Sequence, residues 1–231
     1  CNMVSVNIAL VIPCYNEAAT IRPLIERVSM VSLPKRWNME IVIIDDGSKD
    51  GTREILQEYI NKFKIFFHSE NKGKGTAVKT GLENATGDYF LIQDADLEYN
   101  PAEIPLLIGA LEKGQENVIY GSRNLHHIKR KGMYIPRAGV WLITKQFNLL
   151  YGANLTDLWT CYKLFPKETA DFFVSGGFES ELIFSAKLVK NGYKIAEVPI
   201  SCKPRTVEEG KKIRYRDGLK GIIVLLREYF K

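Results

Sequence analysis

The sequence has no long hydrophobic run. Its longest uninterrupted apolar stretches are five residues each, at 8–12 (IALVI) and 222–226 (IIVLL). A membrane-spanning helix needs about 20, so nothing here is expected to cross a bilayer. Cysteine is sparse. Cys1, Cys14, Cys161 and Cys202 are scattered, and none forms a C-x-x-C pair. That argues against a zinc site and fits a reducing cytosol. The glycine pattern lacks both G-x-x-x-x-G-K-[ST] and G-x-G-x-x-G, so neither a P-loop nor a dinucleotide fold is supported. No tract reads as disordered, repetitive or low in complexity. No secretory signal is expected, and a start at Cys1 rather than Met suggests a processed or trimmed N-terminus.

The 231 residues, 45% hydrophobic and 26% charged, are enough for one α/β domain with a sizeable core. The net charge of +5 is unevenly spread. Residues 123–137 hold Arg123, Lys129, Arg130, Lys131 and Arg137 with no acid. Residues 203–216 hold six basic residues against Glu208 and Glu209. The rest of the chain is therefore net negative. Two basic patches on an acidic body suggest local anion binding, not a nucleic-acid surface.

Short apolar runs alternate with helical spacing. Strands are expected at 7–12, 40–45, 64–67, 89–93 and 117–120. Helices are expected at 18–30, from about Thr52, at 76–84 and at 101–112, the last opening on Pro101. The order predicts a mostly parallel sheet covered on both faces. Ligands in such sheets sit at the carboxyl ends of the strands. Those ends read Pro13-Cys14-Tyr15-Asn16-Glu17, Asp45-Asp46, Asp94-Ala95-Asp96 and Gly121-Ser122-Arg123. Beyond residue 124, strands are expected at 161–165 and 194–201 and a helix at 179–190. Amphipathic helices are expected around 140–150 and 218–230. Their apolar stripes, including Leu219, Ile222, Ile223, Leu226 and Phe230, most simply face the core, with a membrane surface as the sharper alternative.

Asp94, Asp96 and Glu98 crowd three acids into five residues at a strand end. Such a group can converge on one hard cation, Mg²⁺ or Mn²⁺, which takes one or two carboxylates plus substrate phosphate oxygens. An acidic loop capping the next helix is the plainer alternative. Asp45-Asp46-Gly47-Ser48 and Asn16-Glu17 also suit ordinary turns. The loop 71–75 (NKGKG) resembles a phosphate cradle at a helix start, or is simply a turn. His126 and His127 lack metal-ligand spacing and read as surface residues.

Together VIPCYNEAATI, IVIIDDGSKDGT, NKGKGTAVKTGLENATGDYFLIQDADLEYNP, YGSRN and GYKIAEVPISCKPRTVEEGKKIRYRDG resemble family 2 glycosyltransferases. Within them they are similar to the polyprenyl-phosphate (dolichyl-phosphate) hexosyltransferases, from about residue 7 to about 225. The resemblance implies a GT-A fold over 1–231, with about 7–123 binding a nucleotide sugar and about 124–231 the acceptor. It implies an inverting enzyme using Mg²⁺ or Mn²⁺ and an NDP-sugar, GDP-mannose or UDP-glucose. By position it puts Pro13, Tyr15 and Glu17 in the nucleotide site and Ile44 and Asp46 around base and ribose. Asp94, Ala95 and Asp96 would hold the diphosphate through the metal, with Glu98 as a further ligand. Arg123 would stand near donor and acceptor, and Asp157 would support the acceptor side. Arg205 and Lys211, with Lys212 adjacent, would close over the diphosphate.

A polyprenyl phosphate is ionised near neutral pH, its second pKa being about 6. It needs cations to hold it rather than a general base. Lys129, Arg130, Lys131 and Arg137 are the expected acceptor-phosphate residues, facing a membrane surface. Many relatives carry C-terminal transmembrane helices. This chain is therefore expected at the cytoplasmic face of a membrane, docked by its amphipathic helices, by a membrane-anchoring subunit, or through an anchor cut from it. A hydroxyl acceptor on a glycan or protein, which would require a carboxylate base, and a non-catalytic nucleotide-sugar-binding subunit are the alternatives. A nucleotidyltransferase is a weaker one.

Overall fold

The structure is a computed structural model that describes residues 4–114, 116–125, 134–205 and 215–231, with side chains omitted for 134–138 and 215–216. Among the described residues, seven strands form one sheet: β1 (Val6–Cys14), β2 (Trp37–Asp45), β3 (Lys64–Phe67), β4 (Tyr89–Ile92), β5 (Val118–Ser122), β6 (Lys163–Pro166) and β7 (Ile195–Pro199), in the order β3-β2-β1-β4-β6-β5-β7. The pairs β1–β2, β2–β3, β1–β4 and β5–β7 are parallel, and β6 runs antiparallel to both β4 and β5.

Among the described residues, seven α-helices accompany them: α1 (Ile21–Ser29), α2 (Thr52–Gln57), α3 (Lys74–Asn84), α4 (Ile104–Glu112), α5 (Tyr134–Tyr151), α6 (Ser180–Lys190) and α7 (Tyr215–Tyr229). The pleat divides the core. Ala9 and Val11 of β1 join Val42 and Ile44 of β2 against α3, α5, α6 and α7. Ile8, Leu10 and Ile12 join Ile43 and Leu91 against α1, α2 and α4. Successive side chains on a strand point to opposite faces, so a central strand buried on both faces reads as one apolar run.

The expected order of strands and helices is the observed one. The differences are mostly at the ends. Helix α1 begins at Ile21 rather than at 18, because Asn16 takes a left-handed φ of 51° and a turn precedes the helix. Its apolar residues Ile21, Leu24, Ile25 and Val28 are all buried, as their spacing predicts. Strand β5 runs on to Ser122, which places Arg123 directly off its end.

One expectation is corrected outright. The α7 stripe Leu219, Ile223, Leu226 and Phe230 does not face the core; all four are exposed. The buried edge of α7 is instead Gly221, Leu225 and Glu228, with Ile222 half-buried. Gly221 lets the helix approach closely, since a Cβ there would stand 2.8 Å from Leu182 Cδ1. On α5 the expected residues do face inward: Ile143 and Phe147 are buried and Val140 and Leu150 half-buried. Trp141, Leu142 and Leu149 remain exposed on its outer side.

Candidate functional site

The parallel strands deliver their carboxyl ends to one edge. Because β6 runs the other way, its beginning, Thr160-Cys161-Tyr162, arrives at that same edge. The loop after β1 is tied to the loop after β2. Asn16 N donates to Ser48 Oγ (2.9 Å), Lys49 N to Asn16 Oδ1 (2.9 Å), Glu17 N to Thr52 Oγ1 (2.8 Å) and Ala18 N to Asp50 Oδ2 (3.0 Å). These bonds fix Glu17 at the edge, where its side chain is buried.

The acidic loop after β4 turns sharply. Leu97 takes a left-handed φ of 61°, unusual for a bulky residue, and Asp96 Oδ1 accepts from Glu98 N at 3.0 Å. The turn directs Glu98 back toward β7, where Glu98 Oε1 accepts from Arg205 N at 3.0 Å. The Arg205 guanidinium then bridges two acids. It meets both carboxylate oxygens of Glu17 at 3.0 Å and Asp96 Oδ2 at 3.1 Å. Glu17, Asp96, Glu98 and Arg205, far apart in sequence, thus form one cluster.

Asp94 is held differently. Lys74 Nζ lies 2.6 Å from Asp94 Oδ1, 2.8 Å from Glu181 Oε1 and 3.0 Å from Cys161 Sγ. Glu181 also pairs with the fully buried Lys163 at 3.0 Å. Lys163 additionally donates to Thr160 O. Burial would raise the Glu181 carboxyl, but Lys74 and Lys163 outweigh it and hold Glu181 down at about 2. Burial also pushes the Cys161 thiol up, so it stays neutral. For Asp96, burial and the charges of Asp94 and Glu98 overcome Arg205, and its carboxyl is pushed up to about 7. Three acids, Glu17, Asp96 and Glu98, share the one Arg205 guanidinium and backbone here.

Arg123 is clamped. Its Nε and Nη2 donate to Asp157 at 2.6 and 2.7 Å, its backbone N donates to Asp157 Oδ2 at 3.0 Å, and Nη2 also reaches Trp159 O at 3.0 Å. Asp157 N in turn donates to Glu197 Oε1 of β7 at 3.0 Å. Asp157 thus positions Arg123 from a fully buried place.

The loop 71–75 cradles an anion of the protein itself. Lys72 N and Gly73 N donate to Asp46 at 2.9 and 2.8 Å, and His68 Nδ1 lies 2.7 Å from Asp46 Oδ1. Gly73 has φ of 92°, and a Cβ on it would stand 2.7 Å from Gly176 O. That close approach brings the start of α6 against the start of α3. Ile44 lies in the core beneath, buried against α3. Pro13 and Ala95 are buried at the edge, and Tyr15 is half-buried. Lys129, Arg130, Lys131, Lys211, Lys212, His126 and His127 lie outside the described residues, as does the side chain of Arg137.

The sequence reading missed Lys74, Glu181 and Cys161. Lys74 was visible only as part of a glycine-rich loop, and Glu181 only as a helical residue. Their meeting depends on contacts across 107 and 87 positions of chain. Cys14 and Cys161 are buried and Cys202 is half-buried.

Among the described residues no three His, Cys, Asp or Glu side chains form a self-sufficient metal cage. The donor set nevertheless fits Mg²⁺ or Mn²⁺. These ions take one or two protein carboxylates and complete their shell with phosphate oxygens and water, and Asp94 and Asp96 supply hard oxygens one residue apart.

The chain is similar to known proteins in sequence and in fold. The chain is 29% identical over 167 residues to dodecaprenyl-phosphate galacturonate synthase of Rhizobium johnstonii, covering 70% of this chain and 48% of that protein. It is 38% identical over 118 residues to dolichol-phosphate mannosyltransferase of Pyrococcus furiosus, covering 50% of this chain and 33% of the relative. The chain thus spans half or less of these relatives. In fold it is similar to glucosyl-3-phosphoglycerate synthase of Mycobacterium tuberculosis, solved with Mn²⁺, uridine diphosphate and glucosyl-3-phosphoglycerate. That likeness has a TM-score of 0.72 at 19% identity and covers 97% of this chain and 80% of the other. The fold is therefore GT-A. The model of glycosyl transferase family 2 matches residues 9–172, and the chain belongs to that family.

Proposed function

We propose that the chain transfers a hexose from a nucleoside-diphosphate sugar to a polyprenyl phosphate, with inversion, using Mg²⁺ or Mn²⁺. The observation that carries this reading is the cluster of Glu17, Asp96 and Glu98 around Arg205 beside Asp94, at the carboxyl edge of the sheet. The two relatives above, whose names specify polyprenyl-linked phosphates, support the acceptor class.

Asp94 and Asp96 would hold the metal, with Glu98 within reach. The bound ion would neutralise charge on the departing diphosphate. Arg205 would add hydrogen bonds to the same anion, and Lys211 would join it. Pro13, Tyr15, Glu17, Ile44, Asp46 and Ala95 would form the nucleotide side. Arg123, aimed by Asp157, would stand between donor and acceptor.

Asp157 is a poor general base. It is fully buried and accepts three hydrogen bonds from Arg123. This supports an acceptor that arrives already ionised over a hydroxyl awaiting deprotonation. Lys129, Arg130, Lys131 and Arg137 would hold its phosphate. Mannose and glucose, carried on GDP and UDP, are the proposed sugars.

Among the described residues no helix is long and apolar enough to cross a membrane. The exposed residues Trp141, Leu142 and Leu149 of α5, with Leu219, Ile223 and Leu226 of α7 and Phe230 just beyond it, would meet the cytoplasmic face of a membrane or an anchoring subunit.

The test is transfer of radiolabelled sugar from GDP-mannose or UDP-glucose to a polyprenyl phosphate with Mn²⁺ or Mg²⁺. Lipid-extractable product that disappears with Asp96→Asn supports the reading. Donor hydrolysis without lipid product, from either donor, moves the reading to a hydroxyl acceptor.

A further inference from the structure

Lys74, Glu181 and Lys163 are not used by the mechanism above. They form a chain: Lys163 pairs with Glu181, Glu181 with Lys74, and Lys74 with Asp94. Neither Glu181 nor Lys163 is exposed enough to exchange freely with solvent. Phe178 closes another side, with Lys74 Nζ 5.9 Å from its ring centre. The ammonium therefore stays where the seam between α3 and α6 holds it. Gly75 secures that seam, because a Cβ there would stand 2.1 Å from Ser180 Oγ and 2.9 Å from Gly176 O.

The two acids at the donor edge thus already have resident cations. Asp94 has Lys74, and Asp96 has Arg205. The two cations differ in their freedom. Arg205 reaches Asp96 by one nitrogen while anchored on Glu17, and an arriving diphosphate can draw it away. Lys74 is fixed from behind by Glu181 and stays.

We propose that Lys74 is the built-in counter-ion of Asp94 and makes divalent-cation binding at Asp94 and Asp96 conditional on a nucleoside diphosphate. The inference rests on the reading of this edge as the donor site. A cation beside a carboxylate weakens that carboxylate's hold on other cations. For protons the effect of an adjacent opposite charge is roughly 1–3 pKa units, so a divalent ion meets at least a comparable handicap. The diphosphate removes it by supplying further oxygen ligands and by engaging Arg205. Lys74 is a positioning residue here, since it acts through Asp94.

The experiment is Mn²⁺ binding followed by electron paramagnetic resonance, with and without GDP or UDP. It uses the wild-type chain, Lys74→Met, Lys74→Gln and Lys74→Arg, each checked for folding by circular dichroism. The wild-type chain should bind Mn²⁺ weakly alone and at least about tenfold more tightly with nucleotide. Lys74→Met should tighten binding without nucleotide by about tenfold and shrink the nucleotide effect by the same factor. Lys74→Gln keeps a hydrogen-bond donor without the charge and should behave like Lys74→Met, which separates charge from packing. Lys74→Arg should restore the wild-type pattern. Folded Lys74→Met and Lys74→Gln proteins with unchanged or weaker nucleotide-free affinity would overturn the counter-ion role while leaving the donor site standing. Absence of Mn²⁺ binding in every protein, with and without nucleotide, would overturn both readings.

Discussion

Two arginines stand at the same sheet edge and are held in opposite ways. Arg205 spreads its contacts over Glu17, Asp96 and, through its backbone, Glu98. Arg123 gives its side-chain carboxylate bonds to Asp157 alone. Asp96 keeps 18% of its side chain in solvent, whereas Asp157 keeps none. Arg205 can release the partly exposed Asp96 to an incoming anion while its paired bonds to the buried Glu17 stay in place. A bidentate grip by one buried acid cannot be exchanged without stranding a charge. The Arg205 side of the edge is therefore arranged to give up one partner, and the Arg123 side to hold one direction.

The largest expected break is chemical. Asp96→Asn should remove about a thousandfold or more of sugar transfer, measured as lipid-extractable label, because the proposed metal would lose a charged ligand. Its effect on folding should be small by comparison, since Asp96 is one of several partners of Arg205.

Asp157→Ala should show the reverse order of importance. It leaves the Arg123 guanidinium without its acid and should cost about 3–5 kcal/mol in chemical denaturation. Loss of activity should follow loss of structure. A stability change under about 1 kcal/mol would mean that Arg123 finds a replacement partner, and the contrast between the arginines would weaken.

Acid should act on the charge chain between the two. Lys74 and Lys163 hold the Glu181 carboxyl down to about 2 in the folded protein, against 4.5 for an ordinary glutamate. A depressed carboxylate contributes stability that is present above the unfolded value. That contribution is lost as pH falls from about 4.5 toward 2. It should be on the order of a few kcal/mol. Glu181→Gln should be less stable at neutral pH and should lack this component of the acid transition, as read from denaturation midpoints at several pH values.

The smallest effect belongs to the outer face of α7. Ile223→Ser should change stability by no more than about 0.5 kcal/mol, as expected for a surface position. Leu225→Ala, two residues on, should cost about 2–5 kcal/mol. If the exposed stripe meets a membrane, Ile223→Ser should also lower sedimentation with anionic vesicles while denaturation midpoints stay put.

The same helix marks how far the sequence could be read. A period near 3.6 announces an amphipathic helix, but both edges of α7 contain apolar residues. Which edge packs inward is decided by Gly221, whose missing side chain lets the helix approach Leu182. The strands were easier, because β1, β2 and β5 are buried on both faces and their apolar runs end in polar residues. Acids at Asp94, Asp96 and Glu98 were conspicuous for the same reason. Their answering charges were not. Lys74 stands 20 residues before Asp94, and Arg205 stands 188 after Glu17. Nothing in local spacing links such pairs. The grip of Asp157 on Arg123, across 34 residues, becomes visible only when β5 and the segment before β6 lie side by side.

The reversed strand β6 sits between β4 and β5. It therefore acts as a gauge. Neighbouring strands lie about 4.8 Å apart, so the strand that ends in the acids and the strand that ends in Arg123 are kept about 10 Å apart by main-chain bonding alone. No single side-chain replacement can reset that interval. What the edge can hold is therefore set by the loops that frame the gap, while the width of the gap belongs to the sheet.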